Sequence, residues 1–340
     1  MTTEPTPQAM TIPEASTLSS AVLDAVEQAV VGKRPALELV LAGILAGGHV
    51  LLEDMPGLGK TLAARSFAQA LGLPFTRAQF TPDLLPADIT GSEVFDQRTG
   101  DFTFRPGPVF TGLLLADEIN RTPPKTQSAL LEAMQEKQVT VEGTTRPLPR
   151  PFHVLATANP VEHEGTYPLP EAQLDRFLLR LSFGYPTAEQ EWEVVARRIG
   201  RRTEEQSVPQ VTDPAGLMGA QGAVEDVHID DAVGAYAVSL VAATRSHAHA
   251  LVGASPRGTL ALVTCARALA VIRGRDYVIP EDVKDLAHPA LDHRVTVRPE
   301  LWLQSITGST IIDSVLADVP VPAARPADDT AATAETPHRP

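Results

Sequence analysis

The sequence predicts an α/β domain built on a parallel sheet, followed by a small all-helical domain. Three observations lead there. Short apolar runs alternate with helical patterns through the first half of the chain. A glycine-rich turn joins one of those runs directly to a helix. Past Tyr185-Pro186 the alternation stops and helical spacing takes over.

Taken in order, residues 1–15 are rich in Thr, Pro and Glu and are expected to be disordered. Leu18, Val22, Val26 and Val30 recur at helical spacing and predict a first helix ending near Val31-Gly32-Lys33. A strongly apolar second helix is expected over 34–46, then a buried strand over 50–52, a helix over 62–71 and a strand over 74–80. The stretch 90–104 reads as an inserted hairpin, with Arg-Thr-Gly-Asp between two short aromatic runs. Its Phe95, Phe102 and Phe104, on the two arms, are read as core packing in preference to a substrate grip. A strand over 113–116, a helix over 125–136, a second hairpin over 138–148 and a strand over 152–157 complete the α/β part. Helices are expected over 188–198, 231–245, 256–273 and 281–287. The resulting division is 1–15 disordered, 16–185 α/β core, 186–312 helical domain and 313–340 a disordered tail rich in Ala, Pro, Asp and Thr.

Composition narrows the function classes. With 340 residues, 43% of them apolar and 21% charged, the chain is long enough for a large domain and a smaller one. A net charge of −14 argues against non-specific binding to nucleic acid or anionic membrane as the main activity. Cys265 is the single cysteine, so no internal disulfide forms, and its apolar helical surroundings make it a core residue. The opening MTTEPTPQAM has neither the basic nor the apolar region of a secretory signal, and glycines and a histidine interrupt the apolar run that begins near Val40. A cytoplasmic protein without membrane insertion is expected.

The chemistry is carried by residues at the ends of the predicted strands. Residues 53–61 read EDMPGLGKT directly after Val50-Leu51-Leu52, and strand, tight turn and helix in that order cradle phosphates. Gly57 and Gly59 let backbone N–H groups turn inward, Lys60 can reach β- and γ-phosphates, and the Thr61 hydroxyl can ligate Mg²⁺. The helix continuing from Leu62 adds the positive end of its dipole. The strict pattern needs glycine at position 54 and the chain has Asp54, so alone the segment also fits an ordinary turn before a surface helix. LLLADE ends a second buried strand in Asp117 and Glu118: on one reading Asp117 holds Mg²⁺ through its water shell and Glu118 polarises the attacking water, on the other they are a helix-capping pair. Asn159, in ATANP, can orient water and γ-phosphate or simply make a turn before Pro160. Arg176, in LDRF, can neutralise charge in phosphoryl transfer or pair with Asp175 or Glu171. Arg257, in SPRG, can reach a nucleotide from the helical domain or be a solvated first-turn charge.

The ordered series EDMPGLGKT, LLLADEINR, ATANP, LPEAQLDRF and GASPRG resembles the MoxR family of AAA+ ATPases over roughly residues 15–310, and Asp54 is itself similar to what that family shows. The resemblance implies an AAA+ P-loop core with a small all-α lid, and ATP and Mg²⁺ as cofactors. It implies nucleotide contacts from Pro56, Gly57, Leu58, Gly59, Lys60, Thr61 and Leu62, with Val31 and Gly32 at the adenine. Thr61 and Asp117 would hold the metal, Glu118 and Asn159 would act on the attacking water, and Arg257 would be the second sensor. Arg176 is taken as a finger acting on a neighbour's nucleotide, with Arg121 and Arg180 as the other candidates. The two hairpins resemble inserts that face a ring pore. A hexameric ring and a protein client with a von Willebrand factor A domain are implied partners. The competing readings are a nucleotide-gated scaffold with little turnover, a magnesium-chelatase-like motor subunit and a DNA translocase, the last disfavoured by the charge.

Overall fold

The computed structural model describes residues 9–98, 100–160, 166–203 and 206–322. The chain begins with α1 (Ile12–Glu27) and α2 (Arg34–Leu45), then runs through β1 (Val50–Glu53), α3 (Lys60–Ala70) and β2 (Phe75–Gln79). A short helix α4 (Pro86–Thr90) leads into a hairpin of β3 (Gly91–Asp96) and β4 (Asp101–Pro106). There follow β5 (Leu113–Asp117), α5 (Pro124–Glu136), a second hairpin of β6 (Gln138–Val141) and β7 (Thr144–Pro147), β8 (His153–Ala158), the single turn α6 (Glu171–Leu174) and β9 (Leu179–Leu181). The helical part comprises α7 (Ala188–Arg201), α8 (Pro214–Glu225), α9 (Asp231–Ser246), α10 (Pro256–Ile272), α11 (Pro280–Leu291) and α12 (Gly308–Asp318), with a small ribbon of β10 (Ala250–Val252) and β11 (Thr296–Val297).

Five strands form one parallel sheet in the order β2-β5-β8-β1-β9. The three central strands β5, β8 and β1 are mainly apolar because both faces are covered, whereas the edge strand β2 carries Arg77 and Gln79. Period-two alternation sorts them: Leu113, Leu115 and Leu155 face the core shared with α1–α3 and α8–α11, while Leu114, Ala116, Val154 and Ala156 face α5 and Phe177. The same alternation places Asp117 on the face of Leu113 and Leu115, towards α3. Helix α10, with Cys265 fully buried, packs on α1 and α2, so the helical domain is joined to the core through one continuous apolar interior. Burial pushes the Cys265 thiol up to about 12, in keeping with a packing role.

Several expectations are corrected. Helix α1 starts at Ile12, inside the segment expected to be disordered, because Thr11 and Glu14 form a reciprocal capping box and Ala15 is already in the core. Helix α12 runs on past residue 312, with Ile312 and Val315 buried, and only residues 323–340 of the expected tail lie outside the described residues. Strand β9 and helix α8 were not expected. The first is three residues long; the second contains Gly216, Gly219 and Gly222, poor helix formers individually. Phe95 and Phe102 are not core residues: they stack on each other at 5.3 Å near the end of the first hairpin, 50% and 68% exposed. Phe104 packs on Phe110 and under the Arg146 guanidinium, which lies 4.0 Å from its ring and so ties the second hairpin to the first.

Two buried histidines sit where β1 and β8 begin. Val154 N–H donates to His49 Nδ1 at 2.9 Å, which puts the ring proton on Nε2, 3.1 Å from the Met134 carbonyl. Burial drives the pKa of His49 down to about 3 and that of His153 down to about 4. Both are neutral in the fold, whereas the unfolded chain takes up protons below about 6.5. Stability is therefore whole above that pH and falls as the pH drops from about 6.5 towards the folded values, by on the order of 2 kcal/mol per histidine on reaching pH 5. Urea midpoints at pH 7 and pH 5 measure this, and His153→Gln should shrink the difference.

Candidate functional site

The turn after β1 follows from its two glycines. Gly57 and Gly59 both have positive φ, 82° and 84°, and Gly59 is the N-cap of α3, so the loop turns its backbone towards the helix axis. Residues 56–62, Arg77, Asp117, Glu118 and residues 157–159 line one cavity of about 380 Å³. The structure thus brings Pro56, Gly57, Leu58, Gly59, Lys60, Thr61, Leu62, Asp117, Glu118 and Asn159 together at the carboxyl end of the sheet. Lys60 Nζ donates to the carbonyls of Asp54 and Met55. Partial burial lowers its pKa, and the surrounding carboxylates of Asp54, Asp117, Glu118 and Glu53 oppose that shift.

Asp54 has a purpose of its own. Its buried carboxylate accepts hydrogen bonds from the Ser182 hydroxyl at 2.8 Å, from Phe183 N–H, and from Gly184 N–H at 3.3 Å. A carboxylate satisfied by two backbone donors and a hydroxyl binds the entrance of the glycine-rich loop to the chain leaving β9.

Asp117 and Glu118 are held differently. Thr157 Oγ donates to Asp117 Oδ1 at 2.6 Å, and the Arg77 guanidinium donates to Oδ2 through Nη2 at 2.6 Å and Nε at 2.9 Å. Glu118 adopts a left-handed backbone, φ 57° and ψ 49°, a conformation of order 1 kcal/mol unfavourable for a residue with a Cβ. Its N–H donates to Thr157 Oγ at 2.8 Å, and its Oε2 accepts from Gln79 Nε2 at 2.8 Å and Arg121 Nη1 at 3.1 Å. Thr157 therefore braces both acidic residues from the neighbouring strand, two positions before Asn159.

A second cavity, about 440 Å³ and mainly apolar, shares the loop 56–59 and Leu62. Val30 and Val31 form one side, and Tyr185, Pro186 and Val194 the other. Gly32 is not among its lining residues. At φ 69° it instead lets α7 approach: a Cβ there would meet the Gln190 side chain at 2.3 Å, and Gln190 Nε2 reaches the Gly32 carbonyl at 3.4 Å. Sequence reasoning missed Arg77, Thr157, Tyr185 and Val194. Thr157 was within sight, on the same strand face as Asn159; nothing local marked the other three.

Arg176 and Arg257 line neither cavity. They flank a common anchor: Asp175 accepts from Arg294 Nε at 2.7 Å and from Ser255 Oγ at 3.2 Å. Arg294 is itself buried and also donates to the Phe177 and Leu178 carbonyls, so the α6 turn is fastened to the helical domain. Arg121 is committed to Glu118 at 3.1 Å and Arg180 to Glu53 at 3.2 Å, whereas Arg176 makes no ion pair among the described residues. Among those residues, no helix is long and apolar enough to cross a membrane.

Comparison with known proteins agrees with this geometry. Residues 49–179 match the ATPase family associated with various cellular activities (AAA), and residues 242–315 match the AAA lid domain. Chaperone MoxR1 of Mycobacterium tuberculosis is 43% identical, over 91% of this chain and 83% of its own length. The uncharacterized protein YeaC of Bacillus subtilis is 48% identical, over 89% of this chain and 94% of its own. A crystal structure of a candidate ATPase from Cytophaga hutchinsonii superposes with a TM-score of 0.85 at 42% identity, covering 91% of this chain and 96% of that one.

Proposed function

Because the chain belongs to the MoxR family of AAA+ ATPases, we propose that it hydrolyses Mg²⁺–ATP as a ring, with each site completed by the next copy, and uses the cycle to remodel a protein client in the cytoplasm. The observation that carries this reading is the split of the site. The phosphate loop and both carboxylates share one cavity, while Arg176 and Arg257 lie together outside it.

In this reading the backbone N–H groups of residues 57–60 and Lys60 bind the phosphates, and the apolar second cavity takes the base between Val31 and Tyr185. Thr61 and Asp117 would hold Mg²⁺: a hydroxyl and a carboxylate lining one cavity are hard oxygen donors that suit it, and Asp117 already accepts a cationic partner in Arg77. When bound, the metal supplies charge neutralisation between the phosphates. Glu118 takes the proton of the attacking water, and Asn159 holds that water against the γ-phosphate. Arg176 and Arg257, presented to the neighbouring copy, offset the charge that develops there.

Helix α7 supports a ring. Trp192, Val195 and Ile199 recur at helical spacing and are exposed, and the helix buries none of its residues against its own chain. We assign this face, in a heterologous arrangement that closes on six copies, to a second copy. The client, by analogy with the family, carries a von Willebrand factor A domain. We assign its contact to the hairpin aromatics Phe95 and Phe102, which are exposed. Lys60→Ala tests the nucleotide assignment: losing charge-assisted bonds to phosphate should weaken ATP binding by roughly 10- to 100-fold. Calorimetric titration reads this directly, and unchanged affinity would rule the loop out as the phosphate site.

A further inference from the structure

Arg77 has no role of its own in the reading above, yet it makes a direct ion pair with Asp117, one of its central residues. It stands on β2, one of the two edge strands of the sheet, on the same strand face as Gln79. Two of its nitrogens converge on Asp117 Oδ2, at 2.6 Å and 2.9 Å, while Thr157 takes Oδ1. The pair is asymmetric: the Asp117 side chain is 11% exposed and that of Arg77 is 51% exposed. One partner is fixed in the sheet and the other can swing into solvent without disturbing the core.

We propose that Arg77 is a positioning residue that competes with Mg²⁺ for Asp117. The guanidinium keeps the carboxylate oriented and neutralised, and the arriving metal displaces it from the sheet edge. A divalent cation and a guanidinium repel each other across one carboxylate, so each weakens the other's hold on it. Displacing a half-exposed ion pair costs little, which sets the expected effect on Mg²⁺ affinity at several-fold rather than many orders of magnitude. The inference rests on the assignment of Asp117 as a metal ligand.

The test uses the full chain and a fluorescent ATP analogue, titrated in EDTA and then across a range of Mg²⁺ concentrations, for wild type, Arg77→Met and Arg77→Lys. Methionine keeps the aliphatic stem and removes the charge. Its half-saturating Mg²⁺ should fall roughly three- to tenfold with affinity in EDTA unchanged, while lysine, a cation without the planar fork, should lie between. Mn²⁺ substituted for Mg²⁺ and followed by electron paramagnetic resonance should report the same change as bound metal, independent of turnover. An unchanged metal dependence in Arg77→Met overturns the proposal. So does weaker nucleotide binding in both EDTA and Mg²⁺, which would make Arg77 a phosphate ligand instead. A wild-type protein indifferent to Mg²⁺ would instead sink the metal assignment beneath it.

Discussion

An Arg176→Ala chain is expected to bind ATP as the wild type does and to hydrolyse it roughly 10³- to 10⁵-fold more slowly, the range over which an arginine supplied in trans accelerates phosphoryl transfer. Arg176 is singled out among the three candidates by what the others already hold. Arg121 is paired with Glu118, and Arg180 with Glu53. Arg176 has no such partner among the described residues and lines neither cavity of its own chain. Its backbone is nonetheless fixed, because the preceding Asp175 is bound to Arg294 and Ser255. A rigid base and an uncommitted guanidinium suit a residue that must meet a neighbour's nucleotide at the right distance. Mixing supplies the decisive measurement. Arg176→Ala contributes an intact pocket and Lys60→Ala an intact finger. Random assembly of equal amounts should then make about a quarter of the interfaces productive in a heterologous ring. Turnover that stays at background in mixed rings of normal size would move the assignment to Arg121 or Arg180.

Glu118→Gln is expected to leave ATP affinity near that of wild type and to lower turnover by roughly 10²- to 10⁴-fold, the usual contribution of a general base. The amide keeps the shape of the side chain and can still engage Gln79, so the loss reports on proton abstraction. Single-turnover hydrolysis with radiolabelled ATP measures it, and a loss below tenfold would mean that another group activates the water. The same variant, held with ATP, is the reagent for capturing the client, since a ring that binds but does not turn over retains what it engages. Near-zero turnover in the wild type, with and without a partner, would favour the nucleotide-gated scaffold.

The parts of the site that run along the chain were legible in the sequence. The glycine-rich loop, the strand ending in Asp117 and the strand ending before Asn159 each announce themselves by an apolar run meeting a polar end, and the parallel sheet puts those ends side by side. What the sequence hid is what strand order decides. Arg77 reaches Asp117 because β2 lies beside β5, in register Arg77 with Leu115, and no local pattern encodes that neighbour. The wall of the second cavity was hidden for a related reason: Tyr185 and Val194 belong to a segment that returns over the loop only after β9, a strand too short to be read from periodicity. Helix α7 shows the converse. Its apolar pattern was read correctly as a helix, but the stripe faces outward, a fact that only packing can reveal.

Asp54 links these two halves of the site mechanically. The loop that is to grip the phosphates begins at a carboxylate whose partners lie at 182–184, and the very next residues, Tyr185 and Pro186, border the pocket assigned to the base. Any displacement of the loop entrance is thereby passed to that border over a few covalent bonds, so the two ends of a bound nucleotide would be felt by one stiff piece of chain. Glycine at position 54 would restore the strict motif and sever that connection.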